Sequence, residues 1–385
     1  MKVNQNLVIS LLLFSAVLPV YGKDVGDLGT GVSYRQISDK DAPLSIHVLE
    51  IDRRQPDLYF TASVGKMIKG KETVQRMAEG MPKGKGQALA AVNGGYFEFT
   101  KEPAFFGAVS GISIIEGELL SGPRSTSLCF TADGTPSIRR VRSDFKITWP
   151  DGSTASFGLN RPTADYDSNV RGTALVIFTP AYAPSTGVTN VREIVLGPAD
   201  PAAWLPLCAS RDMRAKVLEV RREGNAPIAP GTLVLTVSRK AEDSTPALAP
   251  GDVITIGTAF SEDMSDVVTA ISGEPQILKK DEVPEVVDPA KPGPRAPRTL
   301  VGYNDKSVFL AVVDGRQEKL SRGMSFSEAS AFMRELGCDE AINMDGGGSS
   351  TFWLAGKVVN SPSDGVQRAI GDCLVLMRRQ APASK

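Results

Sequence analysis

Between residues 140 and 265 the chain breaks into short runs, FKITW, TALVIF, AKVLEVRR, TLVLTVS and DVITIG, separated by Pro and Gly. Branched side chains are stiff at χ1 and suit a pleated surface, while Pro and Gly interrupt pairing, so each run reads as a strand. The rest follows suit. Residues 44–51 (LSIHVLEI), 88–92 (ALAAV), 307–313 (SVFLAVV) and 341–344 (AINM) read as strands, with hairpins over 107–120 and 127–138. Another hairpin is expected at 352–354 with 357–359, and a last strand at 372–377. Helical signals are few: a weak pattern at 72–81, and a stronger one after Ser325. There Glu328 stands at capping-box spacing, Phe326, Ala329, Met333 and Leu336 mark one face, and Gly337 provides the stop. The expected fold is α+β, with strand-rich mixed sheets and a few helices.

At 385 residues the chain has room for one large domain or two modest ones. The stretch 140–265 shows no repeat and no flexible linker, so it reads as an elaborated middle within one unit over residues 30–379. Residues 281–297 (DEVPEVVDPAKPGPRAP) hold five prolines in seventeen positions and form a loop leading into Arg298.

Residues 7–20 (LVISLLLFSAVLPV) form an apolar run too short to span a bilayer but suited to a signal-peptide core. Val20-Tyr21-Gly22 places small residues for cleavage before Lys23. A signal peptide over 1–22 implies a secreted or periplasmic protein with no transmembrane span in the mature chain. The four cysteines lie far apart with no CxxC pair, which fits either two disulfides or four free thiols.

Charge and histidine usage narrow the chemistry. Lys+Arg 43 against Asp+Glu 44 leaves a net charge of −1 and no basic stripe, so nucleic acid is not an expected partner. The single histidine, His47, excludes zinc sites built from several imidazoles. Inside a strand, it reads as a packed residue. Acid–base work therefore falls to carboxylates. The segment Asp345-Gly346-Gly347-Gly348-Ser349-Ser350 is neither a Walker A loop nor a dinucleotide fingerprint. Its glycines permit φ > 0, so their amides could converge as a nest for a phosphate or sugar oxygen beside Asp345.

Around that loop stand NGGYF at 93–97, RTLVG at 298–302, DGR at 314–316 and RGMSFSEASAFMRELG at 322–337. NMDGGGSSTFWLAGKVVNSPSDG at 343–365 and QRAIGDCLVL at 367–376 complete an ordered series. Together they resemble the phosphodiester glycosidase (NAGPA-type) domain family, across about residues 88–377 apart from the middle region. The resemblance implies an exported hydrolase acting on a sugar joined through its anomeric oxygen to a phosphodiester.

In that light Asp345 is expected to be the principal carboxylate, as nucleophile or base, with Asp314 as its partner or orienter. Arg298 and Arg316 would hold the phosphoryl oxygens, joined by the Gly346, Gly347 and Gly348 amides and Ser349, with Arg368 as a further phosphate contact. Asn93 and Asn343 would bind sugar hydroxyls or fix loops, and Gly94 belongs to the same binding segment. No cofactor is required. A divalent cation on Asp314 and Asp345, as in a metal-dependent phosphodiesterase, is an alternative without a ligand motif behind it. A non-catalytic glycan-binding protein is the other. The expected partner is a carbohydrate phosphodiester, with the oligomeric state left open.

Overall fold

The computed structural model describes residues 27–39, 41–98, 105–124, 126–162, 173–280, 282–288 and 290–380. The signal-peptide reading falls outside them. The fold is mostly β, so the α+β expectation fits only in part. Among the described residues the α-helices are Val74–Glu79 and Phe326–Glu335, and four sheets account for the strands.

Two of these sheets frame the site. The six-stranded one runs Val32–Asp39, Leu44–Asp52, Ser307–Val313, Arg298–Tyr303, Glu340–Asn343, Gln276–Leu278. The five-stranded one runs Lys357–Val358, Phe352–Leu354, Gln87–Asn93, Cys373–Arg378, Leu58–Ser63. Alternation along each strand sorts side chains between two faces. Leu49, Leu310 and Val312 face inward, where they meet Val92, Phe352, Leu374 and Leu376 of the second sheet. Ile46, Val48, Phe309 and Ala311 face outward onto Ala329, Phe332 and Met333 of the longer helix. On the far side, Ala91, Val375 and Met377 pack against Val74 and Met77 of the shorter helix. The result is a helix–sheet–sheet–helix stack. The continuous apolar runs seen in the sequence are strands buried on both faces.

Both helix predictions hold. Thr73 caps the short helix through a bond from the Arg76 amide, and Ser325 with Glu328 forms the expected capping box.

The middle region builds an eight-stranded sheet, in order Thr154–Ser156, Ser143–Thr148, Val253–Phe260, Asp212–Arg221, Arg192–Pro198, Leu233–Val237, Leu175–Phe178, Gly158–Leu159. It shares a core with Ile114, Leu119 and Val267 of the remaining five-stranded sheet. All four cysteines are free, with Cys129, Cys338 and Cys373 buried. No helix among the described residues is long and apolar enough to cross a membrane.

Candidate active site

Strand register gathers the motifs at one end of the two framing sheets. Arg298 pairs with Val313, just before Asp314, and Leu300 pairs with Asn343, just before the glycine loop. Asn93 pairs with Cys373 in the other sheet. NGG, DGR, the glycine loop and the last strand therefore meet although they span about 280 residues of sequence.

Asn93 ties that end together. Its Oδ1 accepts from Thr299 Oγ1 at 2.6 Å and from the Thr351 amide at 3.1 Å, and its Nδ2 donates to the Asp345 carbonyl at 2.6 Å. Asn93 is 1% exposed. These bonds tie three segments to one side chain. Asn343 is equally buried, its Nδ2 donating to the Glu274 and Met344 carbonyls while its Oδ1 has no partner among the described residues. Gly94 also acts through the scaffold: its amide donates to the Asp372 carbonyl at 2.9 Å and its carbonyl accepts from the Asp345 amide at 2.9 Å. A Cβ at Gly94 would collide with Asp372 Oδ1 and Ile271 Cδ1.

The glycine loop differs from the nest expected of it. The Gly346 amide donates to Asp345 Oδ1 at 2.9 Å and the Gly347 amide to the Pro297 carbonyl at 3.0 Å. Gly347–Ser349 forms a single 3-10 turn. Those two amides are satisfied internally, because the loop must first anchor itself and Asp345. The arginines come to the loop instead. Gly347 has φ +61°, and a Cβ there would lie 3.0 Å from the Arg316 guanidinium. Gly348 faces Arg368, which is ion-paired to Asp364 at 2.7 Å.

Arg316 is exposed and held at φ +60°, a left-handed conformation costly for a residue with a Cβ. Arg298 is 8% exposed, donates to the Met324 and Pro294 carbonyls, and lies 4.0 Å from the Phe326 ring centroid. Burial lowers its pKa, an effect Tyr96 opposes and Arg316 reinforces. Burial raises the pKa of Asp345, while the Ser349 hydroxyl, then the Gly346 amide and the Arg368 charge, pull it down.

Asp314, expected as the partner or orienter of Asp345, is bonded into the scaffold. It is 2% exposed, and both oxygens are occupied. Oδ1 accepts from the Ser361 amide at 2.8 Å and Asn360 Nδ2 at 3.2 Å; Oδ2 accepts from Ser45 Oγ at 2.9 Å and lies 3.3 Å from His47 Nε2. The other ring nitrogen, Nδ1, is 2.7 Å from Tyr34 Oη. Asp314 is a buried hub joining three segments just upstream of Arg316. His47 is indeed a packed residue.

Two residues escaped the sequence reading. Tyr96 is 41% exposed, and burial of its ring, then the Asp345 and Glu274 charges, raise its pKa. An aromatic next to Asn-Gly-Gly was its only signal. Asp372 is fully buried; its Oδ1 accepts from the Gly95 amide at 3.0 Å, and its Oδ2 finds no partner among the described residues. Desolvation, with repulsion from Asp345, pushes its pKa up to about 7. A lone carboxylate within the apolar IGDCLVL was the clue. Among the described residues no three His, Cys, Asp or Glu side chains converge as a metal-binding group.

One half-buried carboxyl, a phenol and three guanidiniums thus lie at one end of the β-stack. The phosphodiester glycosidase family model matches residues 212–377, somewhat under half of the chain. The motifs that carried the resemblance in the C-terminal half lie within this matched stretch, so the chain is similar to that family there. N-acetylglucosamine-1-phosphodiester alpha-N-acetylglucosaminidase of Mus musculus is 39% identical over 77 residues, covering 20% of this chain and 14% of that protein. The SPbeta prophage-derived uncharacterized protein YomE of Bacillus subtilis (strain 168) is 38% identical over 81 residues, 21% of this chain and 12% of its own. The chain thus spans only about an eighth to a seventh of these relatives' length. A crystal structure from Burkholderia pseudomallei K96243 shares the fold, with a TM-score of 0.67 at 23% identity over 87% of this chain and 74% of that one.

Proposed function

We propose that this protein is an exported hydrolase, secreted or periplasmic, that cleaves a sugar-1-phosphodiester in a glycan or surface polymer without a cofactor. The observation carrying this reading is the placement of Asp345. Its loop is tied back through Asn93 and Gly94, Arg316 lies over Gly347, and Arg368 lies beside Gly348. A monoanionic phosphodiester resting on these guanidiniums brings its anomeric carbon towards the carboxylate.

The reaction follows from that arrangement. The C1–O bond breaks, and the phosphoryl group leaves with the electron pair, its charge balanced by Arg316 and Arg368. Asp345 stabilises the oxocarbenium-like centre, as nucleophile or as base towards water. Water supplies hydroxyl to C1, and its proton ends on the phosphomonoester. Phosphate is a good leaving group, so a strong general acid is unnecessary, which suits a site where the sole histidine is buried.

The test is turnover of sugar-1-phosphodiesters in ¹⁸O water, with Asp345→Asn as control. Label in the free sugar supports the reading. Label in the phosphate would move it to a phosphodiesterase, and binding without turnover to a glycan-binding protein.

A further inference from the structure

Asp372 has no evident structural reason to be a carboxylate. The strands packed around it, Leu58–Ser63, Gln87–Asn93 and Val267–Ser272, contain no charged residue. Among the described residues its one hydrogen-bond donor is the Gly95 amide, and Oδ2 is buried without a partner. The groups that face it electrostatically are Asp345 and the adjacent Cys373 thiol. An isolated carboxylate in such surroundings is strongly disfavoured, and a neighbouring negative charge disfavours it further.

Gly94 couples the two acids. Its amide holds the Asp372 carbonyl, its carbonyl holds the Asp345 amide, and its missing Cβ leaves room for Asp372 Oδ1. Arg368, itself paired with Asp364, acts on Asp345 through its charge and favours its ionised form, and no cation acts so on Asp372. Two interacting carboxyls in unequal settings divide their roles: the one beside a cation ionises and the isolated one keeps the proton.

We propose that Asp345 and Asp372 act as one carboxyl pair, Asp372 being a positioning residue that carries the pair's proton behind Gly94 while Asp345 stays ionised towards the substrate. This deepens the hydrolase reading and rests on it for its kinetic consequence. It also makes a prediction independent of catalysis.

The experiment is isotope-edited infrared titration of Asp carboxyls in the full chain, run on wild type, Asp372→Asn and Asp345→Asn, beside kcat and KM against pH. Asn at 372 still accepts the Gly95 amide and matches the protonated acid in shape; circular dichroism checks the fold. The pair predicts a protonated carboxyl band at pH 6 that vanishes in Asp372→Asn and whose midpoint falls in Asp345→Asn. It also predicts that the alkaline limb of kcat disappears in Asp372→Asn, with KM changed less than about twofold. A band untouched by Asp372→Asn, a midpoint indifferent to Asp345→Asn, or an unaltered kcat limb would overturn it. If wild type turns over no sugar-1-phosphodiester, the hydrolase reading fails while the infrared arm still decides the pair. If Asp372→Asn unfolds, the Asp345→Asn midpoint decides it.

Discussion

Asn93 Nδ2 donates to the carbonyl oxygen of Asp345 at 2.6 Å, across 252 positions of sequence. The bond holds the backbone of the proposed catalytic residue and leaves its carboxyl unencumbered by Asn93. The same asparagine accepts from Thr299 and Thr351, so the glycine loop, the strand after Pro297 and the segment before Phe352 share one anchor.

Asp345→Asn removes the charge but keeps the shape. Turnover in ¹⁸O water is expected to fall at least about 100-fold in kcat with little change in melting temperature. Retention of full activity would sink the assignment.

Arg316→Gly separates strain from binding. Glycine adopts φ +60° freely, so the fold is expected to be unharmed or stabilised by about 1 kcal/mol. Loss of the guanidinium is expected to lower kcat/KM about 10- to 100-fold. Thermal melting and steady-state kinetics on one preparation read both, and unchanged kcat/KM would remove Arg316 from the phosphate site.

Asp314→Ala tests the hub. Removing an acceptor bound to Ser45, Asn360 and the Ser361 amide is expected to cost about 3 kcal/mol in urea unfolding. A cost below about 1 kcal/mol would show that these bonds contribute little and would return Asp314 to consideration as a chemical partner.

Asp372 sets a pH dependence of stability. Its pKa is raised from 3.8 to about 7, so between those values the folded state holds a proton that the unfolded chain has released. Unfolding free energy therefore falls as pH rises through that window, by an amount on the order of 4 kcal/mol at most. Urea midpoints at pH 5 and pH 8 should differ more in wild type than in Asp372→Asn, and equal differences would refute the shift.

Gly94→Ala forces a methyl group onto Asp372 and Ile271. A loss of about 1–3 kcal/mol is expected in thermal unfolding, together with reduced turnover, because the same glycine bridges the two acids. A variant as stable as wild type would mean that this end of the stack relaxes easily.

Much of the architecture was legible in advance because strand signals are local. FKITW, SVFLAVV and LSIHVLEI all became strands, and the Ser325–Glu328 box capped its helix. Pairing order was not legible, since it depends on partners such as Cys373–Arg378 and Leu58–Ser63, some 300 residues apart. Candidate site residues could be named by type, while their surroundings could not be read. Asp314 reads as a chemical group next to Gly-Arg until Ser45, Asn360 and Ser361, none of them nearby in sequence, are seen to saturate it. Asp372 has the opposite history, because only tertiary burial reveals a carboxyl with a single hydrogen bond, from the Gly95 amide, among the described residues.

Cys373–Arg378 sits in the interior of its sheet, between Gln87–Asn93 and Leu58–Ser63. During synthesis these two partners emerge almost 300 residues before the strand that must be inserted between them. Until then the Asn93 end has neither Asp372 nor a completed sheet. A nascent chain thus cannot complete this sheet, or the Asn93 end of the site, until residues 373–378 have left the ribosome.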